Sequence, residues 1–186
     1  MKKTNTKKLT LSAVMVALAT VLSFVSVYRL ANGGSVTLAS MVPIIVISYL
    51  YDAKWSVITS LVYALLQMMM GFYPPPTNDI ISYFMVVMLD YVIAFGCLGL
   101  AGTFFKMFGK NKIAITLSGA IVVIMRFVCH FLSGIIIWGV WAPEGQSVYW
   151  YSLTYNGSYM GLELVITVAV LGLMSKFILE YRNKIN

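Results

Sequence analysis

Asp90, Arg126, His130 and Glu163 each stand inside a long apolar run, and these four side chains are where the sequence could do chemistry. An ionisable group at the centre of a membrane helix costs at least about 2.5 kcal/mol on insertion scales, so it marks a functional site unless a structural partner neutralises it. Asp90, in Met88-Leu89-Asp90-Tyr91, lies too deep in its run for a short carboxylate to reach a polar surface by snorkelling. It therefore needs either a structural ion pair, with Arg126 the obvious candidate, or a cationic or hydrogen-bond-donating ligand. Arg126 and His130 are four residues apart and share a helix face. That face continues through Ser133 and Gly134 to Trp138, so a polar stripe climbs the helix. His130 reads about equally well as a satisfied packing residue and as a ligand contact. Glu163 could join the same site or pair with Arg126.

Aromatic side chains crowd the top of this stripe: Trp138, Trp141, Tyr149, Trp150, Tyr151, Tyr155 and Tyr159. An interfacial belt accounts for some of them. It does not account for Tyr151-Ser152-Leu153-Thr154-Tyr155-Asn156-Gly157-Ser158-Tyr159, where amide, hydroxyl and aromatic groups follow directly on a loop. Aromatic faces combined with an amide and a carboxylate suit a flat cationic heterocycle, through stacking, cation–π attraction and directed hydrogen bonds.

The elements that must position these groups are membrane helices. Hydrophobic residues make up 60% of the 186-residue chain and charged residues only 10%, with a mean hydropathy of +0.88; soluble domains carry about 25% charged residues. Apolar runs predict six transmembrane helices at about 8–29, 37–52, 55–72, 80–107, 113–141 and 153–180, in a single membrane domain spanning 1–186. Asn32-Gly33-Gly34-Ser35, Tyr73-Pro74-Pro75-Pro76-Thr77-Asn78 and Ala142-Pro143-Glu144-Gly145 break the runs. Lys2, Lys3, Lys7, Lys8, Lys54, Lys106, Lys110, Lys112, Lys176, Arg182 and Lys184 all fall on one side of this arrangement, against Arg29 on the other. That bias predicts an all-α bundle with both termini cytoplasmic, and it explains the net charge of +7 without nucleic acid. The first apolar run continues to about Tyr28 without a convincing cleavage site, which reads as a retained helix rather than a signal peptide.

Other features are weaker. Cys97 and Cys129 lie in apolar stretches without metal-ligand spacing and read as small core residues. Ala13 and Ala17 form a small-xxx-small pair that would let another helix approach closely, a spacing that also arises by chance. Gly109-Lys110-Asn111 lacks the upstream spacing and the Ser/Thr of a phosphate loop, so the chain is expected to hydrolyse no ATP. A small membrane enzyme using His130 with Asp90 or Glu163 is disfavoured by the absence of a paired catalytic motif. An autonomous proton-coupled carrier with Asp90, Arg126, His130 and Glu163 as its relay stays open as an alternative, although no inverted repeat is visible.

Spread over nearly the whole chain, the residues resemble the thiamine-specific S components of energy-coupling factor vitamin transporters. The resemblance rests on Gly33-Gly34-Ser35-Val36-Thr37-Leu38 with Met41-Val42-Pro43, then Leu89-Asp90-Tyr91 with Ala94-Phe95, and Leu98-Gly99-Leu100-Ala101-Gly102. It continues in Arg126-Phe127 with His130-Phe131, Ser133-Gly134, Trp138, Ala142-Pro143, and Tyr151-Ser152-Leu153 with Tyr155-Asn156. It implies a multi-pass protein of the prokaryotic cytoplasmic membrane that binds thiamine with high affinity near its outer face, needs no cofactor, and works with a transmembrane coupling subunit and two ATPase subunits. It carries binding roles onto Asp90, Tyr91, His130, Trp138, Tyr151 and Asn156, a lid onto the segment from Tyr28 to Ser35, and a partner-docking role onto Ala13 and Ala17. Two departures stand out. The family's carboxylate is expected to be Glu where this chain has Asp90, and the lid has no tryptophan, leaving Tyr28 or Tyr73 as substitutes. Another flat vitamin or a thiamine precursor is the alternative ligand.

Overall fold

Three short polar side chains punctuate the chain where helices begin. Asp52, Asp79 and Asn111 each accept a hydrogen bond from the backbone N–H three residues on, at Trp55 (2.9 Å), Ser82 (2.8 Å) and Ala114 (2.8 Å), satisfying donors that a helix start leaves orphaned. The computed structural model describes residues 2–30 and 33–185. Its elements run α1 (Lys2–Phe24), β1 (Ser26–Arg29), β2 (Ser35–Thr37), α2 (Val42–Leu50), α3 (Ala53–Gly71), α4 (Ile80–Val86), a π-helical segment (Val87–Ile93), α5 (Ala94–Gly96), a 3-10 turn (Cys97–Leu100), α6 (Ala101–Met107), α7 (Lys112–Ile136), a second 3-10 turn (Trp138–Trp141) and α8 (Val148–Ile185).

Five helical stretches among the described residues are long and apolar enough to cross a membrane: Thr6–Phe24, Ala53–Gly71, Ile80–Met107, Lys112–Ile136 and Val148–Ile185. The protein is a multi-pass membrane bundle. The expected second helix differs from the other five. Pro43 sits in its first turn and it ends at Leu50, so its nine residues span only about 14 Å, less than half of a bilayer's hydrocarbon core. All nine are buried, and α2 serves as a central plug packed against α1, α3, α6 and α8.

The first expected helix also ends early. Helix stops at Phe24, and Ser26–Arg29 turns back as an antiparallel hairpin with Ser35–Thr37, in register Ser26↔Thr37, Tyr28↔Val36 and Arg29↔Ser35. The β-branched Val25 and Val27 suit this extended backbone. Leu30 N–H bonds Gly34 C=O at 2.7 Å, and Gly33 takes φ +99°, which a residue with a Cβ rarely adopts. Asn32, part of the expected turn cluster, lies outside the described residues.

Helix–helix approach depends on missing side chains. A Cβ on Gly102 would lie 1.8 Å from the Ser48 carbonyl oxygen, and one on Gly134 would lie 2.1 Å from Ser152 Oγ. The first glycine seats α6 on α2, and the second brings α8 against α7 beside the polar stripe. At one end of the bundle Lys8 bonds Asp52 at 2.6 Å and lies over the rings of Tyr51 and Trp55. Arg182 lies over Phe105, which packs on Tyr49, two residues before Tyr51. The start of α1 and the end of α8 therefore share that end.

Candidate functional site

The π-helical segment carries Asp90 and Tyr91 at its middle. Such a widened turn adds a residue to the helix and re-aims side chains, and it recurs at functional sites. Here it turns Asp90 towards α7 and the 3-10 turn after it, from which three donors converge. Ser133 Oγ donates to Asp90 Oδ2 at 2.7 Å, Trp138 Nε1 donates to the same oxygen at 3.1 Å, and His130 Nδ1 stands 3.0 Å from Oδ1. Trp138 Nε1 also reaches Ser133 Oγ at 3.0 Å, knitting the donors together.

Arg126 fixes the histidine tautomer. Its Nε–H donates to His130 Nε2 at 3.3 Å, so Nε2 is the acceptor and Nδ1 carries the proton that points at Asp90. The guanidinium lies over the Phe95 ring, 4.1 Å from its centroid. Neither candidate ion pair forms: among the described residues Arg126 makes no salt bridge to Asp90 or Glu163, and the imidazole stands between it and Asp90. Glu163 instead takes the Thr37 hydroxyl at 2.6 Å.

Above this cluster lies a cavity of about 470 Å³, within the size range of small-molecule sites. Asp90, Tyr91, His130, Trp138, Tyr151 and Asn156 all line it, as does Arg126. Tyr28 does not: it sits on the outward strand of the hairpin, 53% exposed. Tyr73 takes the wall position, its ring centroid 5.7 Å from that of Trp138 and 6.1 Å from that of Trp141. Tyr91 holds that wall in place. Its hydroxyl accepts from Tyr73 N–H at 3.1 Å and donates to Gly71 C=O at 3.0 Å. Asn156 works similarly from α8, donating to His130 C=O at 3.2 Å and accepting from the Tyr159 hydroxyl at 2.9 Å.

Ser133, read from sequence on the Arg126–His130 face, is fully buried and serves the site through Asp90. One polar lining group went unread in the sequence. Gln67 donates to Ser23 Oγ at 3.0 Å and lines the cavity floor; an amide inside Leu65-Leu66-Gln67-Met68 was a readable signal. Tyr155 and Tyr159 were read in the Tyr151–Tyr159 run that an interfacial belt does not explain, with no binding role given to either. Ala13 and Ala17 are exposed on α1, away from the cavity.

A membrane helix bundle enclosing a polar, aromatic-walled cavity beneath a hairpin is the architecture of a small-molecule-handling membrane protein. Comparison with known proteins narrows this. The family model described as "Thiamine transporter protein (Thia_YuaJ)" matches residues 9–183. The thiamine transporter ThiT of Bacillus subtilis (strain 168) is 32% identical over 173 residues, 87% of this chain and 86% of that protein. ThiT of Lacticaseibacillus paracasei is 34% identical over 95 residues, 46% of this chain and 47% of its own length. The solved structure of ThiT from Listeria monocytogenes superposes with a TM-score of 0.74 at 21% identity, covering 93% of this chain and 95% of that one; at that identity the likeness carries the fold. The chain belongs to the thiamine transporter family, as a multi-pass protein of the bacterial plasma membrane.

Proposed function

We propose that this protein is a high-affinity thiamine-binding substrate-specificity subunit, which captures the vitamin at the outer face and delivers it by associating with a separate ATP-driven energy-coupling module. The observation that carries the reading is the Asp90 cluster in its aromatic-walled cavity. Asp90 is held by neutral donors, Ser133, Trp138 and the Nδ1–H of His130, so its negative charge faces the cavity without a cationic side chain paired to it among the described residues. A thiazolium cation supplies that charge, and the aminopyrimidine supplies donors to the same carboxylate. Trp138 and His130 offer faces for stacking, Tyr73 extends the aromatic wall beside Trp138, and Tyr151 and Asn156 give hydrogen-bonding groups from α8. The hairpin around Gly33 closes over the site.

The grouping of Lys8 and Arg182 at the opposite end supports placing both termini on the cytoplasmic side. The chain forms one membrane domain. Ala13 and Ala17 present a small-residue strip on an exposed face of α1, suited to a helix of the coupling subunit. Two ATPase subunits outside this chain supply the energy.

Titration of the detergent-purified protein with thiamine, followed by tryptophan fluorescence, tests the reading. Saturable quenching at one ligand per chain is expected, with Trp138→Ala weakening affinity at least about tenfold while retaining its thermal unfolding transition. Unchanged affinity in a folded Trp138→Ala protein would overturn the site, and silence towards thiamine in both fluorescence and calorimetry would overturn the substrate.

A further inference from the structure

Glu163 stands apart from the cavity, yet it is 3% exposed and about 22 Å along α8 from its start. Its Oε1 accepts both donors of a single residue: the backbone N–H of Thr37 at 2.5 Å and the Thr37 hydroxyl at 2.6 Å. Since that hydroxyl has one proton and gives it to Glu163, the 2.7 Å contact between Thr37 Oγ1 and Ser40 Oγ must be donated by Ser40. The result is a directed chain, Ser40 to Thr37 to Glu163. The second oxygen, Oε2, is buried with no hydrogen-bond partner among the described residues. A buried carboxylate is costly to retain half-satisfied, and what it holds here is the last residue of β2.

Of the two strands, β2 is the one that packs against α8 and α1. On β2, Val36 and Thr37 are 2% and 7% exposed; on β1, Val27 is 68% exposed. Three residues of α8 at four-residue spacing hold the buried strand and its turn. The Tyr155 hydroxyl accepts from Gly34 N–H at 3.3 Å, and the Tyr159 ring lies so close to Gly34 that a Cβ there would come within 2.7 Å. Glu163 ends the series with the shortest and most buried contact. The same helix supplies Tyr151 and Asn156 to the cavity wall, so the cover and the wall share one rigid element.

We propose that Glu163 is a positioning residue: it anchors the return strand of the hairpin through Thr37 and thereby sets how fast a bound ligand leaves, without touching the ligand. The proposal rests on the thiamine reading for its ligand, but the anchor itself can be tested without one. Glu163→Leu removes the acceptor and keeps an apolar volume, Thr37→Val removes one donor and keeps the branched shape, and Glu163→Gln keeps a carbonyl oxygen for both Thr37 donors.

Stopped-flow tryptophan fluorescence separates thiamine association from release. Glu163→Leu should release thiamine at least about tenfold faster with association nearly unchanged, Thr37→Val should fall between it and the parent, and Glu163→Gln should stay near the parent. In parallel, spin labels at Val27→Cys and Tyr149→Cys, with Cys97 and Cys129 replaced by alanine, report the position of β1 against α8 in the ligand-free protein. Glu163→Leu should broaden the parental distance distribution and Glu163→Gln should not. Parental release from a folded Glu163→Leu protein overturns the proposal, as does Glu163→Gln releasing as fast as Glu163→Leu. If Glu163→Leu does not fold, Thr37→Val decides, and parental release and label distances in that variant overturn the anchor. If the parent does not bind thiamine, the thiamine reading fails alone, and the label distances judge the anchor.

Discussion

Asp90 and Glu163 are both carboxylates inside the bundle, and their surroundings are opposite. Asp90 uses both oxygens on three donors, two of which are ring N–H groups whose faces or edges line the cavity. Glu163 uses one oxygen on one residue of the hairpin, and its other oxygen is buried without a hydrogen-bond partner among the described residues. The first arrangement organises groups that a ligand can meet; the second ties down a piece of backbone. A buried charge thus does one of two jobs, and the identity of its donors tells them apart. Counting ionisable residues in apolar segments finds both but cannot assign either.

Converting each acid to its amide sharpens the contrast most. Asp90→Asn offers one acceptor oxygen where two are in use, so its NH2 must face either His130 Nδ1–H or the Ser133 and Trp138 donors. It also removes the charge that answers a cation. Thiamine affinity measured by calorimetry should fall about a hundredfold or more, roughly 3 kcal/mol, whereas Glu163→Gln should leave equilibrium affinity near the parent. Equal losses in the two amides would erase the distinction. A smaller effect is expected from Ser133→Ala, which takes away one of two donors to Asp90 Oδ2 and lets Trp138 Nε1 serve it alone. Thiamine binding should weaken about fivefold, near 1 kcal/mol, through loss of orientation at Trp138; affinity equal to the parent would remove Ser133 from the positioning network.

The membrane class was legible in the sequence because apolar runs of membrane length follow from solvation alone. The helices at 55–72 and 80–107 match Ala53–Gly71 and Ile80–Met107 to within two residues, since the Asp52 and Asp79 caps, the proline run and Gly109 mark their ends. The hairpin at Ser26–Arg29 was read as helix because Val25, Val27 and Tyr28 are apolar in either conformation; only pairing with Ser35–Thr37, a non-local contact, makes them a strand. The second helix was read as spanning because burial in protein and burial in lipid select the same residues. At the site, Arg126, His130, Ser133 and Trp138 were visible as one face of one helix. Their meeting with Asp90 was not, because it depends on a π-helical turn that no spacing in Val87–Ile93 announces. An Asp90–Arg126 pair, one of the two alternatives that charge logic left open, does not form, because the histidine between them takes the contact on each side.

Asp79 gives the smallest effect and the external control for both buried acids. It lies at the exposed start of α4, and its carboxyl is held down to about 2 by the Ser82 hydroxyl, then the Ser82 backbone N–H, then Thr77. Because the folded value is below the ordinary one of 3.8, the carboxylate favours the folded state at pH above about 4, and that contribution disappears as pH falls towards 2. Asparagine caps a helix about as well as aspartate but does not titrate. Asp79→Asn should therefore leave thiamine affinity at pH 7 unchanged and lessen the acid-side fall in melting temperature between about pH 4 and pH 2, in a scan where the parent and the variant share detergent and salt. A steeper acid-side fall in the variant would contradict the capping argument. A change in thiamine affinity would mean that this outer turn, far from Asp90 in character, is coupled to the cavity through Tyr83 and Phe72, whose rings stack at 6.2 Å.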